Sequence, residues 1–252
     1  MLEDQTWKRA REQFLTAKVA LIPVGSTEQH GPHLPLGTDF MIAQALAREA
    51  ARWTGAICTP TIPVGISEHH RQFWGTLWVA PEAFRAYLAG IARSLAYHGL
   101  RRLIFVNGHG GNTAALREVA RALHQEGIYA LTWQWWPGVA ELIAELFPGF
   151  GSHAGEPETA MMLAIAEELV DKGALEEAAA EGAPRWGLSQ FGAEVAFDAS
   201  DFSRSGAVGD PRRADREKGL KLYEASLEQL IGLIRWLEGL PEEKLRPGEH
   251  KP

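Results

Sequence analysis

Apolar positions along the chain fall into short continuous runs separated by longer stretches with a helical apolar period. That alternation predicts buried strands joined by amphipathic helices. The runs are Val19–Val24, Ala56–Val64, Leu103–Val106 and Ile128–Trp133. Prolines interrupt the second run, which places it near a sheet edge. A short helix is predicted within residues 1–17 and a longer one from Phe40 to Arg52. Another runs from Pro81 to His98 and Gly99, with proline at its start and glycine at its finish. Further helices are predicted from Thr113 to Gln125, from about Gly138, from Ala154–Thr159 to about Val170, and from Asp215 to Glu238. In the last of these, Leu220, Tyr223, Leu227, Leu230, Ile231 and Ile234 share one face. Residues 173–212 are rich in Gly, Ala and Asp and carry no clear pattern. Strands alternating with helices predict an α/β fold, a mostly parallel sheet covered on both faces. With no internal repeat or linker, residues 1–252 are expected to form one domain.

Length and composition narrow the function classes. A chain of 252 residues can bury a full core. No apolar run reaches the eighteen residues of a membrane span. The polar, acidic start Met1–Lys8 is not a signal peptide, and Cys58 is the only cysteine. A single cysteine excludes an internal disulfide and a thiolate zinc cluster, so the expected setting is the cytoplasm. Net charge is −7 and the Arg pairs at 101–102 and 212–213 are short, which argues against nucleic acid as a partner.

The chemistry concentrates at the ends of the predicted strands. The stretch GSTEQHGPHLPLGTD, Gly25 to Asp39, follows the first strand and carries Glu28, His30 and Asp39. Asn107-Gly-His-Gly-Gly-Asn112 follows the third strand and leaves His109 as its only titratable side chain. In a parallel sheet, ligands bind at such carboxyl ends. Carboxylates and imidazoles gathered there make a divalent-metal site. A glycine turn between strand and helix also holds phosphates, but neither GxGxxG spacing nor a Walker lysine is present. At Ser152-His-Ala-Gly-Glu-Pro-Glu-Thr159, Pro157 suits a first helical turn and biases Glu156 towards extended backbone. Glu158 and Thr159 suit the role of dipole-complementing residues inside that turn, and Glu156 is the candidate ligand.

These residues allow a two-metal site with Asp39 bridging, Glu28 and His109 on one ion, and His30 and Glu156 on the other. Three carboxylates and one hydroxide neutralise two divalent ions, which avoids a large desolvation cost. A hydroxide held between two ions is a competent nucleophile near neutral pH. His153 is placed to pass a proton to a leaving nitrogen. Nitrogen and oxygen ligands without thiolate suit Zn²⁺ or Mn²⁺. Among the other histidines, His33 is read as loop-forming or supporting, and His98 and His124 as structural at helix ends. His70, of the adjacent pair His69 and His70, is placed to line the pocket. Trp133, Trp135 and Trp136 follow the fourth strand, where a ring can wall the mouth or pack in the core.

The Gly25–Asp39 stretch closely resembles the signature of the creatininase (creatinine amidohydrolase) family. Asn107–Asn112, His153–Thr159 and Gly206-Ala-Val-Gly-Asp-Pro211 resemble its later motifs in the right order. The stretch from Gly65 is also similar through Ser67, His70, Phe73, Gly75 and Thr76, with Trp74 where a proline is usual. The resemblance implies a three-layer α/β/α sandwich, two divalent ions per chain and a homo-oligomer. Glu28, His30, Asp39 and His109 carry over as metal ligands. It also implies hydrolysis of a non-peptide C–N bond in a small amide or cyclic amide, of the creatinine-to-creatine type.

One departure bears on substrate. Family members that open creatinine carry a tyrosine and a metal-binding glutamate after the motif histidine, where this chain has Gly110 and Gly111. Members with the Gly-Gly form include a formamide hydrolase and a peptidase that trims a precursor peptide. The expected partner is therefore a small-molecule amide, with those two activities as alternatives and a non-catalytic phosphate-binding protein as the rival from another class.

Overall fold

The computed structural model describes residues 1–248. Four parallel strands form the central sheet: β1 (Ala20–Val24), β2 (Ile57–Cys58), β3 (Arg102–Asn107) and β4 (Tyr129–Gln134). Their order is β2-β1-β3-β4, with Ala20 beside both Ile57 and Leu103, and Arg102 beside Tyr129. The helices are α1 (Trp7–Phe14), α2 (Thr38–Thr54), α3 (Pro81–Tyr97), α4 (Thr113–Gln125), α5 (Trp135–Gly138), α6 (Ala140–Leu146), α7 (Glu156–Ile165), α8 (Leu175–Ala180) and α9 (Arg216–Glu238). A small antiparallel hairpin, β5 (Ser189–Gln190) and β6 (Ala193–Glu194), stands apart from the main sheet.

Strand β1 and the Leu103–Val106 centre of β3 are unbroken apolar runs because both faces are covered. Leu21, Ile104 and Val106 pack with α2, α7 and α9 on one side. Ala20, Ile22, Val24, Leu103 and Phe105 pack with α3 and α4 on the other. Successive strand residues point to opposite faces, so a strand buried on both sides reads as an unbroken apolar run. Each fully buried Leu or Ile of this set contributes about 1.5–3 kcal/mol relative to exposure. The result is the three-layer α/β/α sandwich that the resemblance implied, with a parallel central sheet.

Several predicted elements differ in extent. The strand expected over Ala56–Val64 is only Ile57–Cys58, because Pro60 and Pro63 cannot donate to a ladder. A single parallel bridge, Val24 to Ile62, resumes beyond Pro60. The helix expected to reach Val170 ends at Ile165 and gives way to a 3-10 turn at Glu167–Leu169. The segment near Gly138 forms two short helices, α5 and α6, rather than one. On α9 the buried stripe is Gly219, Leu222, Ser226, Leu230, Ile234 and Leu237. Leu222, absent from the predicted face, is fully buried, while Tyr223, Leu227 and Ile231 flank the stripe. The patternless region holds α8 and the β5–β6 hairpin. Among the described residues no helix is long and apolar enough to cross a membrane.

Cys58 ends β2 inside the core, where burial pushes its thiol up to about 12. Only the thiolate attacks disulfide reagents, and at pH 8 about one thiol in 10⁴ would be ionised, against roughly a quarter for a free cysteine. The native protein is expected to leave a chromogenic disulfide reagent unreacted at pH 8 and to release one equivalent on unfolding. Fast reaction of the folded chain would show that β2 opens readily.

Candidate metal centre

All four main strands run the same way, so their carboxyl ends open onto one edge of the sheet. Three segments leave that edge and carry the site. The loop after β1 brings Glu28 and His30, and Asp39 stands in the first turn of α2. The turn after β3 brings His109, and the segment before α7 brings His153. Glu28, His30, Asp39, His109 and His153 are all buried.

Asp39 is the centre of the arrangement. Its Oδ1 lies 3.1 Å from His30 Nε2, and its Oδ2 lies 3.0 Å from His109 Nδ1. Glu28 Oε1 is 3.2 Å from the same His109 nitrogen. On the other side, Glu158 Oε2 is 3.8 Å from His30 Nε2. Two ligand groups therefore share Asp39: Glu28, Asp39 and His109, and His30, Asp39 and Glu158. Glu28 also converges with His30 and His153, and with His69 and His70.

The imidazole tautomers follow from fixed neighbours. His30 Nδ1 donates to the Glu28 carbonyl, His109 Nε2 to the Ile66 carbonyl and His153 Nε2 to the Gln29 carbonyl. Each ring thus turns its other nitrogen to the cluster, the arrangement by which metal-ligating histidines are oriented. His70 is held in the opposite sense. Gln29 Oε1 accepts from Gly31 N, so its amide nitrogen donates to His70 Nδ1 and to the Gly206 carbonyl. The His70 proton then sits on Nε2, 3.4 Å from Glu28 Oε1. His70 therefore turns its Nε2–H rather than a lone pair towards Glu28, with no hydrogen bond between them.

The residues fit divalent cations. Both oxygens of Glu28 and Oδ2 of Asp39 are buried without a hydrogen bond among the described residues. Buried carboxylate oxygens left unpaired are costly, and a cation between them removes that cost. The imidazoles report the same demand. Burial opposes a charge on His30, yet Asp39, Glu158 and Glu28 outweigh it and raise the ring to about 10. Burial likewise opposes a charge on His109, and Glu28 and Asp39 lift it well above its ordinary value. Burial raises Glu158 to about 7. By contrast, burial and the neighbouring His30 hold His153 well below its ordinary value, so it is neutral.

Glu156, the ligand expected on the second ion, lies away from the groups that gather around Asp39. Its Oε2 accepts from Gly151 N and its Oε1 pairs with Arg213 at 3.1 Å, outside the ligand groups. The reason is helical geometry. Glu156 and Glu158 are two residues apart at the start of α7, about 200° around the helix axis, so only one can face the cluster. Glu158 faces it, while its Oε2 also accepts from Ala154 N and so serves the helix start as well. Ala154 holds a left-handed conformation, φ 47°, between His153 and that helix.

The remaining sequence candidates separate cleanly. His33 supports α7 by its 2.9 Å contact with Thr159 Oγ1 and stays outside the ligand groups. His69 and His70 both line the cavity above the cluster, His69 pushed down to about 4 by burial. Trp135 and Trp136 line it too, while Trp133 packs against the core. Asn112 bridges Gly25 O and Ile66 N, and Asn107 closes on His109 O, so the asparagines pin the loops together. Of the glycines between them, Gly108 and Gly111 serve close packing, while Gly110 faces open space. A Cβ on Gly108 would lie 2.1 Å from the Asp39 carbonyl, and one on Gly111 would lie 2.4 Å from the Ile66 carbonyl. The turn is therefore packed against backbone rather than open as a phosphate cradle, and position 111 has no room for the glutamate of the creatinine-opening enzymes.

The cavity over the cluster measures about 530 Å³ and is walled by Trp135, Trp136, Phe150, Trp186, Phe197 and Phe202. Trp186 stands edge-on to His69, His153 and Phe202 at centroid distances of 5.9, 5.7 and 5.1 Å. The patternless region gave no sign of Trp186. Gln29 was also missed, although its place between Glu28 and His30 was a usable signal.

Fold and site together define an amidohydrolase scaffold with a carboxylate–imidazole centre. The family profile described as creatinine amidohydrolase matches residues 3–234, and the chain belongs to the creatininase family. It is 38% identical over 229 residues to a mycofactocin precursor peptide peptidase of Mycobacterium ulcerans, covering 87% of this chain and 86% of that one. It is 27% identical over 252 residues to a creatinine amidohydrolase of Pseudomonas putida, covering 92% and 95%. A mutant creatininase of Zn–Zn type superposes with a TM-score of 0.78 at 27% identity, covering 95% of this chain and 98% of that one. A manganese form of creatininase superposes at 0.77 with 26% identity and the same coverages.

Proposed function

We propose that the protein is a two-metal hydrolase of an amide C–N bond, with Glu28, Asp39 and His109 on one ion and His30, Asp39 and Glu158 on the other. The observation that carries this reading is Asp39, which presents one oxygen to each of two ligand groups. Glu158 takes the place foreseen for Glu156, so three carboxylates still face two divalent charges. The Zn and Mn forms among the structural neighbours support either metal.

Bound there, the ions supply an activated water nucleophile and a Lewis-acid contact for the substrate carbonyl oxygen. The chain's own residues do the rest. His153, neutral with a bare Nδ1 3.8 Å from Glu28 Oε1, takes a proton at that atom and passes it to the departing nitrogen. Its Nε2–H on the Gln29 carbonyl keeps the ring from turning. Trp186 packs over His69, His70 and His153 and shields them from water.

A peptide amide fits the cavity better than creatinine. A single five-membered ring fills a small part of about 530 Å³, and the Gly110–Gly111 pair lacks the creatinine-opening side chains. The similarity to a precursor peptide peptidase points the same way.

The test is metal content per chain, by elemental analysis of protein purified without chelators or a histidine tag. Two equivalents of zinc or manganese are expected, with activity lost to a chelator and restored by either ion. Content near zero that dialysis against both ions does not restore would overturn the proposal. One equivalent would remove the shared role of Asp39.

A further inference from the structure

The walls of the cavity differ in kind from its floor. The floor is carboxylate and imidazole; the walls are aromatic, and among the described residues no lysine or arginine lines the cavity. The rim adds two carboxylates, Glu194 and Asp198. Arg71, the cation that contacts this rim, gives 2.8 and 2.7 Å hydrogen bonds to the two oxygens of Asp198, and Gln72 adds a third at 2.6 Å. Its charge is already matched by Asp198. Held at the aromatic wall, away from the floor, a substrate carboxylate or phosphate would lose its hydration and find Glu194 and Asp198 nearby and no cationic side chain among the lining residues.

The aromatic side is open for use. Trp186 is 45% exposed, Phe150 41% and Phe197 83%, all three beside the cavity. Large apolar rings grouped at one concave mouth mark a binding surface. Their faces and edges suit a flat apolar partner.

We propose that the group flanking the scissile amide is uncharged and aromatic, seated against Trp186, Trp136 and Phe202, and that substrates with an anionic group at that position are rejected. This rests on the two-metal amide hydrolase reading, because the ions fix which bond lies beside the aromatic wall.

The experiment compares phenylalanine hydroxamate with glutamate hydroxamate by calorimetry on the metal-loaded full chain. Both anchor to divalent ions through the same group, so their difference reads the side-chain subsite without turnover. The phenylalanine compound is expected to bind at least about tenfold more tightly, about 1.4 kcal/mol. Trp186→Ala should cut that ratio at least about threefold, and Trp186→Phe should retain most of it. Equal affinities, or tighter binding of the glutamate compound, would overturn this inference and leave the hydrolase standing. Failure of both compounds to bind metal-loaded protein would sink the hydrolase reading, and this inference with it. A parallel assay with tripeptides carrying Phe, Leu, Lys or Glu beside the scissile bond should rank Phe first and Glu last in kcat/KM.

Discussion

Asp39→Asn is expected to abolish amide hydrolysis and to strip both ions from the protein. The side chain stays the same size, so packing in the first turn of α2 is kept. What changes is that one carboxylate serving two ligand groups becomes a neutral amide with a single acceptor. Its Oδ1 and Oδ2 now lie 3.1 and 3.0 Å from the His30 and His109 nitrogens. An amide nitrogen at either place cannot ligate a cation. The expected loss in kcat/KM is on the order of 10³-fold or more, equivalent to about 4 kcal/mol of transition-state stabilisation. Elemental analysis should read less than one ion per chain. A variant that keeps two ions and near-normal turnover would show that Asp39 does not bridge.

Glu158→Gln and Glu156→Gln should behave in opposite ways although they stand two residues apart. Glu158→Gln is expected to lower metal content from two ions to one and activity by about 10²-fold or more, with little change in melting temperature. Glutamine resembles the protonated acid that burial favours at this position when no cation is present, so the fold tolerates it. Glu156→Gln is expected to keep both ions. Its amide would place a donor against the Arg213 guanidinium, and the Gly151 N–H would lose a charged acceptor. Because Arg213 is 40% exposed, water screens part of that loss. The cost is about 1–3 kcal/mol, seen as a melting point several degrees lower. If Glu156→Gln loses an ion while Glu158→Gln keeps two, the assignment is reversed and the α7 geometry has been misread.

The pair shows where reading a sequence stops. Both glutamates stand beside Pro157 at the start of one helix, and proline's known preferences made Glu156 look extended and outward-facing. The helix in fact begins at Glu156, with Gly155 as its cap. A shift of one residue in where a helix starts rotates every following side chain by about 100°. That rotation decides which carboxylate meets His30 and which meets Arg213, a residue 57 positions later.

The elements most legible in the sequence were those whose cause is local. Unbroken apolar runs marked β1 and β3, because burial on both faces demands it. Proline and glycine marked the bounds of α3, and Glu28, His30, Asp39 and His109 were found together because all leave the same edge of a parallel sheet. The extent of β2 was overread, since beyond Pro60 the ladder resumes only as a single bridge at Ile62. The stripe on α9 was misplaced because small residues, Gly219 and Ser226, let α9 lie close to its neighbours and drew Leu222 into the core.

By itself, then, the sequence determined the layered α/β scaffold and four of the acid and imidazole groups, as strand burial and loop composition are written locally. Tertiary structure alone decided the rest: which of Glu156 and Glu158 lies beside His30, the tautomer of His70 set by Gln29, and the aromatic cover from Trp186. Those outcomes depend on which groups distant segments bring within about 3–4 Å, where hydrogen-bond partners fix tautomers and burial sets charge.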